Sequence, residues 1–201
     1  MFSIIQAAGW PIWFLLLASI LAVALIIERA ATLRRGKIVP PGLLATVVAE
    51  YRQSGVTEEM IRRLNAHSPL GRVFAAGLKN VKSQRDVMKE SIEEVGRGVA
   101  HELERFLTSL GTIAAISPLM GLFGTVVGMI EIFGAPSASG NNPQVLAHGI
   151  SVALYNTGFG LIIAIPSMIF YRHFRALVDS FLVEMELQAV KLVELVHGER
   201  S

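Results

Sequence analysis

The chain contains no cysteine. That excludes a disulfide framework and every thiolate-bound zinc or iron–sulfur site. Charge is scarce as well. Only 17% of the 201 residues are Asp, Glu, Lys or Arg, where a soluble domain carries about 25%. The shortage is concentrated in two places: residues 1–27 hold no charged side chain, and residues 106–171 hold one, Glu131. All eighteen Lys and Arg therefore fall in 28–105 and 172–201, fourteen in the first block and four in the second. Nucleic-acid binding needs a basic patch on a folded surface. Here the basic residues follow the edges of apolar segments instead, so no nucleic-acid partner is expected.

Catalytic signatures are also missing. There is no HExxH helix, no Walker lysine motif and no GxSxG elbow. Gly96-Arg97-Gly98 lacks the third glycine and the strand context of a dinucleotide loop. His67, His101, His148, His173 and His197 are scattered, so neither a metal site nor an enzyme is expected. No internal repeat or low-complexity tract is visible.

What is present is three long apolar runs. A bilayer core about 30 Å thick needs roughly 20 apolar residues at about 1.5 Å each. Trp10–Ile27, Leu107–Phe133 and Ile150–Tyr171 meet that length, which predicts an all-α integral membrane protein with transmembrane helices at 10–27, 107–133 and 150–171. Orientation follows from the positive-inside rule. Arg29, Arg34, Arg35 and Lys37 follow the first span, and Arg172 and Arg175 follow the third. Residues 1–9 and the loop 134–149 are thus expected outside (periplasmic). The insert 28–106 and the C-terminal segment 172–201 are expected in the cytoplasm. A cleaved signal peptide is the competing reading of the N-terminus, but it would place its positive charges before the apolar run rather than after it. Trp10 and Trp13 stand at the outer end of span one, where aromatic belts form.

Within the insert, Pro40-Pro41 breaks the chain and a helix is expected from Leu43. Thr57-Glu58-Glu59 reads as a helix cap with an acidic first turn, and Ser68-Pro69 as a further boundary before the amphipathic run Leu70–Asn80. Val87, Ile92, Val95, Val99, Leu103, Phe106 and Leu110 recur at helical steps with no breaker before span two. This predicts one continuous helix from about 85 to 133, kinked at Pro118. After span three, Leu177, Phe181, Val183, Met185, Leu187, Val190, Leu192 and Val193 form an apolar stripe. It predicts a helical extension that packs in a bundle and helps subunits assemble.

The polar and small residues inside the spans are the candidate functional set. Ser117, Gly121, Thr125 and Gly128 share one face of span two, and Gly124 and Gly128 form a small-xxx-small pair. A packing seam is the plain explanation of the glycines. Span three adds Ser151, Tyr155, Asn156, Thr157, Gly158 and Gly160. An amide facing lipid is expensive, so Asn156 must face protein or water. Residues 155–157 point in three directions. Thr157 is assigned to the side of an ion path and Asn156 to a neighbouring helix, with the reverse as the alternative. No titratable group lies at the centre of any span, so a proton-carrying carboxylate would have to come from another chain. Glu131, near the outer end of span two, is a candidate for a pore mouth or a solvated rim residue.

Ser117-Pro-Leu-Met-Gly-Leu-Phe-Gly-Thr-Val-Val-Gly-Met-Ile130, Gly149-Ile-Ser-Val-Ala-Leu-Tyr-Asn-Thr-Gly-Phe-Gly-Leu161 and Ala164-Ile-Pro166 resemble the MotA/TolQ/ExbB proton-channel family. With three spans rather than four, the chain is most similar to its ExbB and TolQ members. The resemblance implies a homopentamer around a central pore lined by spans two and three. That pore would hold two copies of an ExbD- or TolR-like single-span partner whose intramembrane aspartate accepts the ion. It further implies a bacterial inner-membrane motor that couples the ion gradient to work on the cell envelope, with a TonB- or TolA-like effector. The family's pore threonines correspond to Thr125 and Thr157. One departure concerns the ion. The family's glutamate at the start of span three is Val152 here, and the alanine before the second threonine is Asn156. Loss of a carboxylate and gain of an amide keep Na⁺ open beside H⁺ as the transported ion; no other cofactor is implied. A non-conducting membrane scaffold is the reading from a different class, and a secondary transporter is weaker still, because three spans offer no inverted repeat.

Overall fold

The computed structural model describes residues 9–134 and 143–197. Among them every regular element is helical: α1 (Pro11–Thr32), α2 (Arg35–Ile38), α3 (Leu43–Ser54), α4 (Glu58–His67), α5 (Pro69–Lys79), α6 (Arg85–Glu104), α7 (Leu107–Gly134) and α8 (Pro143–Val196). Three candidate membrane spans are found, Pro11–Thr32, Arg85–Ile130 and Gly149–Val196: the first is α1, the second runs over α6 and α7, and the third lies in α8. The chain divides into two compact units. One contains residues up to Arg29 together with Phe106–His173, and the other contains Ala30–Arg105 with the chain from Phe174 onward.

The first unit is the apolar one. Its interior is formed by Ile12 and Leu15 of α1, Leu107, Leu110 and Ala114 of α7, and Ala153 and Ala164 of α8. Most of its large apolar side chains point outward instead. Trp13, Leu17, Ile20, Leu119, Ile130, Ile162 and Ile169 are all exposed on the chain, as expected of helices whose outer solvent is hydrocarbon. At the start of α1, Trp10 sets its ring edge-on to Phe14 and to Phe123 of α7, both at 5.8 Å between centroids. α1 is longer than the expected span 10–27 and continues to Thr32. No breaker follows Ile27, and Glu28 and Arg29 are both tolerated in its last turns.

The second unit is a water-type helical bundle with a bulky core: Val47, Met60, Leu64, Leu70, Phe74, Leu78, Met88, Val99, Leu103, Phe174, Val178, Phe181, Met185 and Leu192. Its helix starts follow the local chemistry. The Thr57 side chain accepts from the Met60 N–H at 3.2 Å and caps α4. The Ser68 side chain accepts from the Gly71 N–H at 3.0 Å and caps α5, with Pro69 in the first turn, where a missing N–H costs nothing. Gly77 lets α5 approach α6: a Cβ there would stand 2.9 Å from Ile92 Cδ1 and 3.1 Å from Met88 Cε. Ion pairs Arg72–Glu102 (2.7 Å), Arg35–Glu184 (2.8 Å) and Arg63–Glu50 lie on its surface.

Two expectations are corrected. The continuous helix from 85 to 133 is in fact two helices, α6 and α7, separated at Arg105 and Phe106. Arg105 has φ −51° and ψ 138°, and Phe106 has φ +64°. The sequence has no Gly or Pro at this point, so the break comes from tertiary structure; Arg29 of α1 lies over the Phe106 ring, 5.4 Å from its centroid. Within the segment expected outside, 134–149, α8 already begins at Pro143, a residue suited to a first helical turn, so the last part of that segment is helical. In the C-terminal stripe, Phe181, Met185, Leu192 and Val193 are buried, but Val183, Leu187 and Val190 are exposed. Val183 and Leu187 fall midway between members of the three- and four-step series that meets the core, and Val190 lies one residue off it. Pro118 lies inside α7 without ending it.

Candidate functional site

The two motif-bearing helices meet along a line of small residues. An added Cβ reports how close they come. At Gly160 it would lie 2.5 Å from the Ser117 carbonyl oxygen and 3.2 Å from Gly121 Cα. At Gly121 it would lie 2.7 Å from the Asn156 carbonyl oxygen and 2.9 Å from Thr157 Cα. At Gly124 it would meet the Asn156 side chain, 2.7 Å from Cβ, 2.8 Å from Cγ and 2.9 Å from Nδ2. Gly128 faces Ala153 Cβ at 3.2 Å, and Gly111 faces the Tyr171 ring at 3.1 Å. Partners rise along α7 as they fall along α8, so the helices are antiparallel. Hydrogen is the only substituent that fits at three of these crossings. This is the close backbone packing that small residues permit inside a membrane.

The predicted residues divide accordingly. Ser117, Gly121, Gly124 and Gly128 belong to the seam, and Ser117 is 2% exposed with its hydroxyl donating to the Ile113 carbonyl at 2.7 Å. Asn156 is 1% exposed and lies against Gly124. Thr157 is half-buried, its Cα beside Gly121. Thr125 stands one residue beyond Gly124, half-buried, with its hydroxyl donating to the Leu122 carbonyl at 2.6 Å. It opens on a shallow hollow of about 340 Å³ with Val126, Met129, Ile130 and Phe133. Ser151 donates to the Ala147 carbonyl at 2.9 Å and faces outward, as does Tyr155. Glu131 lies in the last turn of α7, and its side chain falls outside the described residues, as do residues 1–8 and 135–142.

Gly160, named among the small residues of span three, makes the tightest backbone contact of the seam; Ser167, buried with its hydroxyl on the Ile163 carbonyl at 2.7 Å, was not singled out from the sequence. Their signal was the run of small residues at three and four steps, Ala153, Asn156, Gly160, Ala164 and Ser167, all on one helical face. No cluster of His, Cys, Asp or Glu suited to a metal occurs among the described residues.

An all-helical membrane protein with three spans, whose second and third spans are joined by a Gly-rich seam flanked by threonines, is the class these observations define. Residues 65–187 match the model of the MotA/TolQ/ExbB proton channel family, and the chain belongs to that family. It is 33% identical to the putative biopolymer transport protein ExbB-like 3 of Synechocystis sp. over 79% of this chain and 77% of that protein. It is 32% identical to the biopolymer transport protein exbB1 of Vibrio cholerae over 81% of this chain and 74% of the relative. To the Tol-Pal system protein TolQ of Pseudomonas aeruginosa it is 33% identical over 63% of this chain and 57% of TolQ. These relatives carry the names of biopolymer transport and Tol-Pal system proteins.

Proposed function

We propose that this chain is the ion-conducting subunit of an inner-membrane motor, which couples the proton gradient to mechanical work on the cell envelope. The observation that carries the reading is the mating of the two family motifs. Gly124 packs on Asn156, so Thr125 and Thr157 stand beside one and the same contact. Their hydroxyls are the groups that flank an ion path, and the chain's spans carry no central carboxylate. A single-span partner with an intramembrane Asp, of the ExbD or TolR kind, supplies that carboxylate, with two partner copies inside five of this chain.

Assembly of several copies is supported by apolar surface left open on the second unit. Val183, Leu187 and Val190 form an exposed ridge, next to a groove of about 550 Å³ lined by Ile92, Gly96, Met185, Ala189 and Val193. The orientation follows the charge pattern, with residues 1–9 and 134–149 outside and 28–106 and 172–201 in the cytoplasm. Burial of Asn156 against Gly124 supports giving it a packing role in place of an ion-binding one, and so favours H⁺ over Na⁺.

The test is ion flux into liposomes that contain the chain with its single-span partner, at fixed voltage, with pH and Na⁺ varied independently. Partner-dependent flux that follows pH, is indifferent to Na⁺ and falls at least tenfold in Thr157→Val agrees with the proposal; tenfold is about 1.4 kcal/mol in the barrier. Flux that needs Na⁺ overturns the choice of ion. Absence of flux from a verified complex moves the assignment to a scaffold.

A further inference from the structure

Two apolar features stand side by side on the second unit, and among the described residues nothing covers either. The first is a ridge on α8: Val183, Leu187 and Val190, at steps of four and three, are 57%, 58% and 48% exposed. The second is the groove of about 550 Å³ between α6 and α8, lined by Ile92, Gly96 and Ala100 on one side and by Met185 and Ala189 on the other.

Gly96 is the unusual member. It stands inside α6, where only proline is a poorer helix residue than glycine, and a Cβ added to it would meet nothing within 4 Å. Packing within the chain therefore gives no reason for glycine at this place, in contrast to Gly77. Ala100, four residues on, continues the same face of α6. Small side chains at that spacing let the axis of another helix come close.

Charge indicates which helix. The α6 wall of the groove carries Arg85, Lys89 and Arg97 against Glu93. The ridge is bracketed by Glu184, which holds Arg35 at 2.8 Å, and by Glu186, with Lys191 one turn beyond Leu187. The ridge is thus an apolar strip with acidic flanks, and the groove an apolar trough with a basic wall. Within one chain the ridge cannot enter the groove, because both are built on the same stretch of α8. Ridge against ridge would set Glu184 and Glu186 against their own copies and leave the groove open, an arrangement that like charges oppose.

We infer that the ridge of one copy of this chain docks in the α6–α8 groove of the next. The inference rests on the reading above that several copies assemble, and it names the surface by which they do so. The contact is heterologous: each copy gives its ridge to one neighbour and its groove to the other, and such a series closes into a ring when the rotation allows.

The chain has no cysteine, so single cysteines report contacts without background. Full-length chains with Leu187→Cys and with Ala100→Cys are co-expressed under different tags, purified together in detergent and treated with a short bis-maleimide. The 187–100 pair should cross-link about tenfold or more above Leu187→Cys with itself or with Gly98→Cys, an exposed position of α6 outside the groove. A chain carrying both Leu187→Cys and Ala100→Cys should give a ladder of dimers, trimers and larger species. Gly96→Leu fills the groove at a point where its own chain leaves Cβ free, and should cut the 187–100 yield by about tenfold; Gly98→Leu should leave it unchanged. Light scattering of the same samples separates two kinds of failure. A monomer overturns the assembly reading and the docking with it. An assembly in which Leu187→Cys joins itself, joins Gly98→Cys equally well, stops at dimers in the doubly substituted chain or joins nothing overturns the docking alone.

Discussion

If the α7–α8 seam is set by backbone approach, alanine substitution of its glycines should have effects graded by what the new methyl meets. Gly160→Ala puts Cβ 2.5 Å from the Ser117 carbonyl oxygen, and Gly121→Ala puts it 2.7 Å from the Asn156 carbonyl oxygen and 2.9 Å from Thr157 Cα. All three obstacles are backbone atoms, which no rotamer change can move. Restoring ordinary contact at about 3.5 Å requires the helices to part by about 0.7–1 Å, and a gap of that size forfeits roughly a quarter to a half of each neighbouring dispersion contact. Overpacking of this kind costs about 1–3 kcal/mol. Against it stands about 1 kcal/mol from replacing a helical glycine by alanine. With rigid obstacles the cost sits at the upper end, so both variants should lose about 2 kcal/mol net.

Two internal controls fix the scale. At Gly128 the new methyl meets only Ala153 Cβ at 3.2 Å, so loss and gain should nearly cancel; at Gly158 nothing lies within 4 Å, so alanine should stabilise by up to about 1 kcal/mol. The assay is unfolding of the protein in mixed micelles by increasing SDS, followed by circular dichroism. The expected stability order is Gly158→Ala, wild type with Gly128→Ala, then Gly121→Ala and Gly160→Ala. If Gly121→Ala and Gly160→Ala prove as stable as Gly158→Ala, the seam is not set by backbone contact and the reasoning fails.

Two predictions concern the second unit. Ser68→Ala removes the side-chain acceptor for the buried Gly71 N–H and should destabilise the protein by about 1–2 kcal/mol in thermal unfolding, with Ser68→Asp recovering most of the loss. Gly98→Ala, at an exposed point of α6 where an added Cβ meets nothing within 4 Å, should stabilise by about 1 kcal/mol in the same assay.

Much of this architecture is legible in the sequence because single residues carry the physics. Thr57 and Ser68 cap where they stand, and the presence of a single charge, Glu131, over 106–171 marks apolar segments whatever their packing. The seam was legible only to within one residue. The series 117, 121, 125, 128 and 117, 121, 124, 128 are both compatible with a helical face. Only the partner distinguishes them, and it selects Gly124, where Asn156 leaves no room for the side chain of a threonine. The break at Phe106 was not legible, because no Gly or Pro marks it and Phe106 nonetheless takes a positive φ.

The buried face of α8 changes in side-chain size along its length. Its core positions recur at three and four steps along its length. In the first unit they are Ala153, Asn156, Gly160, Ala164 and Ser167; in the second they are Phe174, Val178, Phe181, Met185, Ala189 and Leu192. In hydrocarbon, burying an apolar side chain gains nothing over leaving it in lipid, so association must come from close backbone contact, which favours small residues. In water, each large side chain buried contributes about 1.5–3 kcal/mol, which favours bulk. On α7, inside the first unit, the buried residues likewise shrink from Leu107 and Leu110 to Ala114, Ser117 and Gly121. On α8 the change of residue size falls between Ser167 and Phe174, the stretch where Arg172 appears as the first charge after Glu131 and where the two compact units divide. Side-chain size, charge and contact clustering are independent signals. Their coincidence within seven residues marks the end of the apolar part of α8, while the helix itself runs on without a break to Val196.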